Sequence, residues 1–157
     1  MVYLEERYEQ VIRASPQDLF DVVANPERTP EWDQSVKSVT KLAEGPIGRG
    51  ARYAESHRLL MREHTIELEV AEYEPPLLVA FSTLAGGPPA TTRFELVPDA
   101  DGGTLVQVTA SACVGGVLSL AAPLLRRVMR RQLPRMFARL KSYCESQSTD
   151  SRGVDLV

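Results

Sequence analysis

Tyr53, Glu55 and His57 are the residues whose types and spacing come closest to a reactive set. Alternate side chains of an extended segment share one face, so a phenol, a carboxylate and an imidazole can meet one ligand. Arg52, Arg58 and Arg62 hold the opposite parity, and burying an unpaired guanidinium is costly. The arginine face is therefore expected to meet solvent, and Ala51, Tyr53, Glu55, His57, Leu59 and Met61 to face inward. A carboxylate within reach of a histidine in an apolar site tunes the imidazole for proton transfer near neutral pH. The same residues also suit a twisted strand edge, where they are solvated or make structural hydrogen bonds. His64, taken on the outward parity near an expected turn at 61–64, is read as surface. Trp32 offers a flat apolar wall with one N–H donor, either as a lid over a ligand or as an anchor for a short helical turn.

Other chemistries lack their residues. Cys113 and Cys144 lie far apart without CxxC or Cys/His spacing, so no zinc site or disulfide framework is signalled. There is no nucleophile elbow, phosphate-cradling glycine loop or metal constellation, and neither metal nor cofactor is expected. Eighteen basic against 21 acidic residues, net charge -3, argue against a primary role on nucleic acid. Glu5, Glu6 and Arg7 stand where a secretory signal places its apolar core, and no run reaches the ~20 apolar residues that span a bilayer. A cytoplasmic, reducing setting is expected.

The elements that position these residues follow from periodicity. Residues 2–13 set Val2, Leu4, Tyr8 and Ile12 against Glu5, Arg7, Glu9 and Arg13, as a half-buried strand does, with Glu6 and Gln10 spoiling the alternation. Ser15-Pro16-Gln17-Asp18 starts a short helix ending near Asn25. The prolines at 26 and 30 allow at most a helical turn before Trp32. Six further strands are expected at about 36–44, 51–60, 64–73, 77–84, 91–98 and 104–112, separated by Gly- and Pro-rich breakers that imply an antiparallel meander. Ile66 and Leu68, Phe94, and Val108 have inward parity. Residues 77–84 are apolar on both parities, so Val79 and Phe81 or Leu78 and Ala80 could line the interior. From Val117 to Glu145 the period becomes helical, with Met129, Leu133, Met136, Phe137 and Leu140 on one side and Arg126, Arg127, Arg130 and Arg131 gathered on the other. Pro134 is expected to kink or break this helix near 130–133. The arginine row is an ordinary solvated face or, with the apolar segment before it, a site of transient membrane contact. One domain over 1–146 is expected, followed by a flexible polar tail at 147–157; the protein could be a monomer or a homodimer.

The order of segments resembles a known superfamily. The Ser-Pro helix, Asn25-Pro…Pro30-Glu-Trp32, Gly45-Pro-Ile-Gly-Arg-Gly50, Val70-Ala-Glu-Tyr-Glu-Pro-Pro76, Thr91-Thr-Arg-Phe-Glu-Leu-Val-Pro98 and Leu133-Pro-Arg-Met-Phe-Ala-Arg-Leu-Lys141 look like START-like (SRPBCC) proteins. More narrowly they resemble the bacterial polyketide cyclase/dehydrase and lipid-transport group, over about residues 3–145. The resemblance implies an α+β helix-grip fold, a curved antiparallel sheet of about seven strands around a long C-terminal helix. It also implies a hydrophobic small molecule held between them, such as a lipid, isoprenoid quinone or aromatic polyketide. Trp32, Tyr53, His57, Ile66, Leu68, Phe81, Phe94, Val108, Met129, Leu133 and Met136 would line the cavity of a carrier or binding protein. In an enzyme of the cyclase, aromatase or dehydratase kind, His57, Glu55 and Tyr53 would be the catalytic candidates. None of these segments is itself a catalytic signature.

Overall fold

A computed structural model describes residues 1–59 and 61–154, with side chains for all of these except 59 and 148–154. In chain order the elements are β1 (Val2–Ile12), α1 (Pro16–Val23), a 3₁₀ turn (Pro26–Arg28), α2 (Thr29–Trp32), β2 (Val36–Lys41), β3 (Arg52–Leu59), β4 (Arg62–Glu74), β5 (Leu78–Ala85), β6 (Ala90–Pro98), β7 (Thr104–Val114), a 3₁₀ segment (Gly116–Ala121) and α3 (Ala122–Val154). Seven strands form one sheet in the order β1-β7-β6-β5-β4-β3-β2, every pair antiparallel. The sheet curves around α3, the helix-grip architecture that the sequence leads one to expect.

Register decides which side chains face the helix. One inward row runs Tyr8, Val108, Phe94, Val79, Tyr73 across five strands, and the next runs Glu6, Ala110, Thr92, Phe81, Val70. Val79 and Phe81 therefore line the interior. Ala80 is buried on the convex side, where its register neighbours Glu72 and Arg93 are ion-paired and Arg93 also reaches Glu95.

Local rules place the short elements at one end of the sheet. The Ser15 hydroxyl accepts from the Asp18 N–H at 3.2 Å, Pro16 opens α1, and the helix buries Leu19, Phe20, Val22 and Val23. The Asn25 side chain accepts from the Glu27 N–H at 3.1 Å and starts the next turn. Gly86 holds φ +85° while approaching β4 so closely that a Cβ would lie 2.3 Å from the Thr65 carbonyl oxygen, so only glycine fits there.

α3 supplies Leu133, Phe137, Leu140 and Cys144 to the main core, and the Phe137 ring packs on Tyr8 with centroids 5.0 Å apart. Its first turns form a second cluster, Leu125 and Met129 with Leu4, Val114 and Ala122. Pro134 lies inside an unbroken helix, at the cost of the hydrogen bond its missing N–H would have given.

Four expectations are corrected. Residues 116–121 are 3₁₀ and the α-helix begins only at Ala122, with Pro123 in the first turn, where its absent donor is harmless. The helix continues past 146 to Val154; residues 155–157 of the expected tail lie outside the described residues. Met61 does not face inward: it occupies the β3–β4 turn at φ 66° and is 91% exposed. The arginine row does not share one side. Arg130 Nε lies 2.9 Å and Arg126 Nε 3.8 Å from Glu6 Oε1, whose side chain is only 14% exposed. Glu6, the misfit of the β1 alternation, thus has a cationic partner on the helix. Among the described residues no helix is long and apolar enough to cross a membrane.

Phe137 is fully buried at the centre of the grip. Phe137→Ala is expected to lower stability by about 3–5 kcal/mol in urea unfolding; a loss under about 1 kcal/mol would show that the helix is not held by this contact.

Candidate functional site

Between sheet and α3 the side chains of the inner face are unevenly covered. Leu68, Phe94, Val108 and Leu133 are buried, whereas Phe81, Thr92 and Ala110 stay half-buried although they point toward the helix, and Met136 of the helix is half-buried too. One helix of roughly 10 Å diameter does not fill the width of a seven-stranded concave face. Phe81 and Met136 pack on the same cluster as Trp32, Tyr53, Leu68, Phe94, Val108 and Leu133. Ile66 is half-buried beside them, opposite Glu55 in register. Met129 is the exception among the expected lining residues, packing in the second cluster near Leu4.

One end of this wall is polar. Tyr53 is wholly buried on β3, and its hydroxyl has no hydrogen-bond partner among the described residues. Burial, reinforced by the nearby Glu27 carboxylate, raises its pKa. Two residues on, Glu55 is buried and its Oε1 lies 2.7 Å from His57 Nε2. The carboxylate at this distance raises the imidazole pKa above its usual 6.5, outweighing burial, with Asp33 adding to the effect. At neutral pH His57 is thereby shifted toward imidazolium, a proton donor. Trp32 is buried at the end of α2 and its indole Nε1 also lacks a partner among the described residues.

The segment carrying Trp32 and Asp33 is tied to α3 by Tyr143, which periodicity placed on the helix's apolar face, and by Arg139. Tyr143 donates to Glu31 and accepts from Arg28 at 3.1 Å and Gln147 at 2.8 Å, while Arg139 lies 3.8 Å from Asp33. Tyr73 was missed. A bulge between Val70 and Glu72 reverses the β4 parity, turning Tyr73 inward against Phe20 with ring centroids 5.3 Å apart. His64 is exposed, as expected, but pairs with His57 in register and shares its sheet face; the outward parity assigned to it is corrected.

Two surface clefts lie elsewhere. One, of about 1100 Å³, is lined by Arg13, Asp18, Asp21, Asp99 and Asp101 among others, an aqueous lining unsuited to an apolar ligand. The other, about 710 Å³, lies between the start of β1 and that of α3.

Curved sheet, gripped helix and apolar interior define a START-like, helix-grip protein. The chain belongs to the polyketide cyclase/dehydrase and lipid transport family, whose description matches residues 5–145. Among solved structures it is similar to a Staphylococcus aureus protein of unknown function, at 12% identity and TM-score 0.79 over 94% of this chain and 97% of that one. It is also similar to a START superfamily protein from Mycobacterium smegmatis, at 18% identity and TM-score 0.74 over 92% and 98% of the two chains. A Thermus thermophilus protein aligns at 17% identity and TM-score 0.76 over 92% and 99%. At these identities the likeness is one of fold. No curated protein matches the sequence.

Because the folded-state pKa of His57 is raised, its charge contributes stability fully below the unfolded value near 6.5, and this is lost as pH rises through the folded value. NMR titration of the ring, assigned with His64→Ala, is expected to place His57 above 6.5, and Glu55→Gln to lower it. A midpoint below 6.5, or one indifferent to Glu55→Gln, would contradict the pairing.

Proposed function

We propose that this protein binds one small amphipathic molecule between the sheet and α3, as a carrier or binding protein. The observation that carries this reading is the presence of buried donors without partners, Trp32 Nε1 and Tyr53 Oη, beside His57 at one end of an otherwise apolar wall. An unsatisfied buried polar group costs about 1–3 kcal/mol, which a ligand carbonyl or hydroxyl oxygen offsets. The apolar body lies against Ile66, Leu68, Phe81, Phe94, Val108, Leu133 and Met136. This favours a lipid, isoprenoid quinone or aromatic polyketide bearing an acceptor at one end. The two free thiols, Cys113 and Cys144, support a reducing, cytoplasmic setting, and the domain comprises residues 1–146.

The Glu55–His57 contact favours a second reading, a cyclase or dehydratase. There the imidazolium gives a proton to a developing oxyanion or leaving hydroxyl, and Glu55 holds it charged.

Native mass spectrometry of the freshly purified chain, alone and with a fatty acid, naphthoquinone and anthraquinone, is expected to show a one-to-one complex. Tyr53→Phe is expected to weaken naphthoquinone binding by about 1 kcal/mol, roughly fivefold in Kd. No complex with any of these probes would contradict the binding reading. Unchanged turnover of a reactive polyketide by His57→Ala and Glu55→Gln would dismiss the catalytic one.

A further inference from the structure

We propose that the 3₁₀ segment Gly116–Ala121 and the first turns of α3 dock this protein onto an anionic lipid bilayer. The inference is independent of what the interior holds.

The first observation is an apolar projection over which no described residue packs. Val117 and Leu120 are 84% exposed, Leu118 59% and Leu124 65%, an unusual concentration of large aliphatic side chains in solvent. They are consecutive or one helical turn apart, so they form one tip at the start of α3.

The second observation is the position of charge relative to that tip. Leu124, Val128, Arg131 and Arg135 recur at spacings of four, three and four residues, one meridian of the helix, with Arg127 alongside; all five are exposed. This meridian is opposite the one that buries Leu133, Phe137 and Leu140. Arg126 and Arg130 are engaged by Glu6, whereas Arg127, Arg131 and Arg135 have no ion-pair partner among the described residues. From Leu124 to Arg131 the helix rises about 10 Å, comparable with the roughly 5–10 Å depth to which interfacial helices bury their apolar side chains. With the leucine tip among the acyl chains, these arginines stand at the level of the phosphates.

The third observation is charge segregation along the chain. Residues 102–144 contain six arginines and one lysine and no aspartate or glutamate, although the whole chain carries a net -3. The acidic remainder is repelled by an anionic surface while this end is attracted, so orientation as well as affinity is specified. A second copy of the chain fits the face less well. An isologous contact would set the Arg127, Arg131 and Arg135 row against the same row of the partner.

The test is flotation of the full chain with vesicles of phosphatidylcholine alone and of phosphatidylcholine mixed with phosphatidylserine. At low ionic strength the protein is expected to partition at least about tenfold more onto the anionic vesicles, with the excess declining as salt is raised. Two double variants, Leu120→Asp with Leu124→Asp and Arg127→Glu with Arg131→Glu, are each expected to lower that partitioning by about tenfold or more. Their unfolding midpoints should stay close to wild type, because all four side chains are exposed. Three results would overturn the proposal: equal or absent binding to the two vesicle types, variants that bind like wild type, or a wild-type dimer abolished by the leucine variant while anionic vesicles are ignored. The last would assign the face to self-association.

Discussion

Leu133, Phe137, Leu140 and Cys144, all on one meridian of α3, pack against the concave face of seven strands, and the rest of the interior depends on how little of that face one helix covers. Strands about 4.8 Å apart make such a sheet roughly 29 Å wide, against a helix of about 10 Å. The helix backbone approaches β1 most closely. α1, the 3₁₀ turn and α2 cover part of what remains by burying Leu19, Phe20, Pro26 and Trp32. Phe81, Thr92 and Ala110 keep partial exposure in the middle of the inner face. This partial exposure of the inner face is a geometric consequence of gripping one helix with a wide sheet.

Two inward carboxylates are stabilised in different ways, and the difference separates architecture from site. Glu6 is met by Arg130 and Arg126 from α3, an arrangement that ties the helix to β1 and fixes which meridian faces the sheet. Glu55 is met by His57 of its own strand. That pair joins no two elements, and its charge depends on a group that titrates near neutrality. Beside it are Tyr53 and Trp32, whose donors have no partner.

Much of the fold was legible because its signals are local. The alternation of β1, the Ser15-Pro16 start of α1, the breakers between strands and the helical period after 117 each report a short-range rule, and all correspond to elements in the structure. The inward parity of Tyr53 and Glu55 was legible for the same reason, since arginines mark the other face of β3. What failed depended on offsets that parity cannot see. A tight turn put Met61 outside and paired His64 with His57, and a bulge turned Tyr73 inward. Four arginines read as one row divide between two helix faces because 126 and 130 lie about 100° from 127 and 131. The ties of Tyr143 to Glu31 and Arg28 join residues more than a hundred positions apart, a separation that periodicity does not register.

The proposed binding site lies between sheet and α3, where the Trp32 Nε1 and Tyr53 Oη donors would meet a ligand oxygen. Trp32 is the only tryptophan in the chain, so its indole N–H gives one isolated resonance. In a ¹H–¹⁵N spectrum of the labelled protein titrated with naphthoquinone, that resonance is expected to shift together with the backbone amides of Tyr53, Glu55 and His57, saturating at one equivalent. If the indole resonance stays fixed while amides around Asp18 and Asp99 or around Leu120 move, or if nothing moves, the face between sheet and α3 is not the binding site.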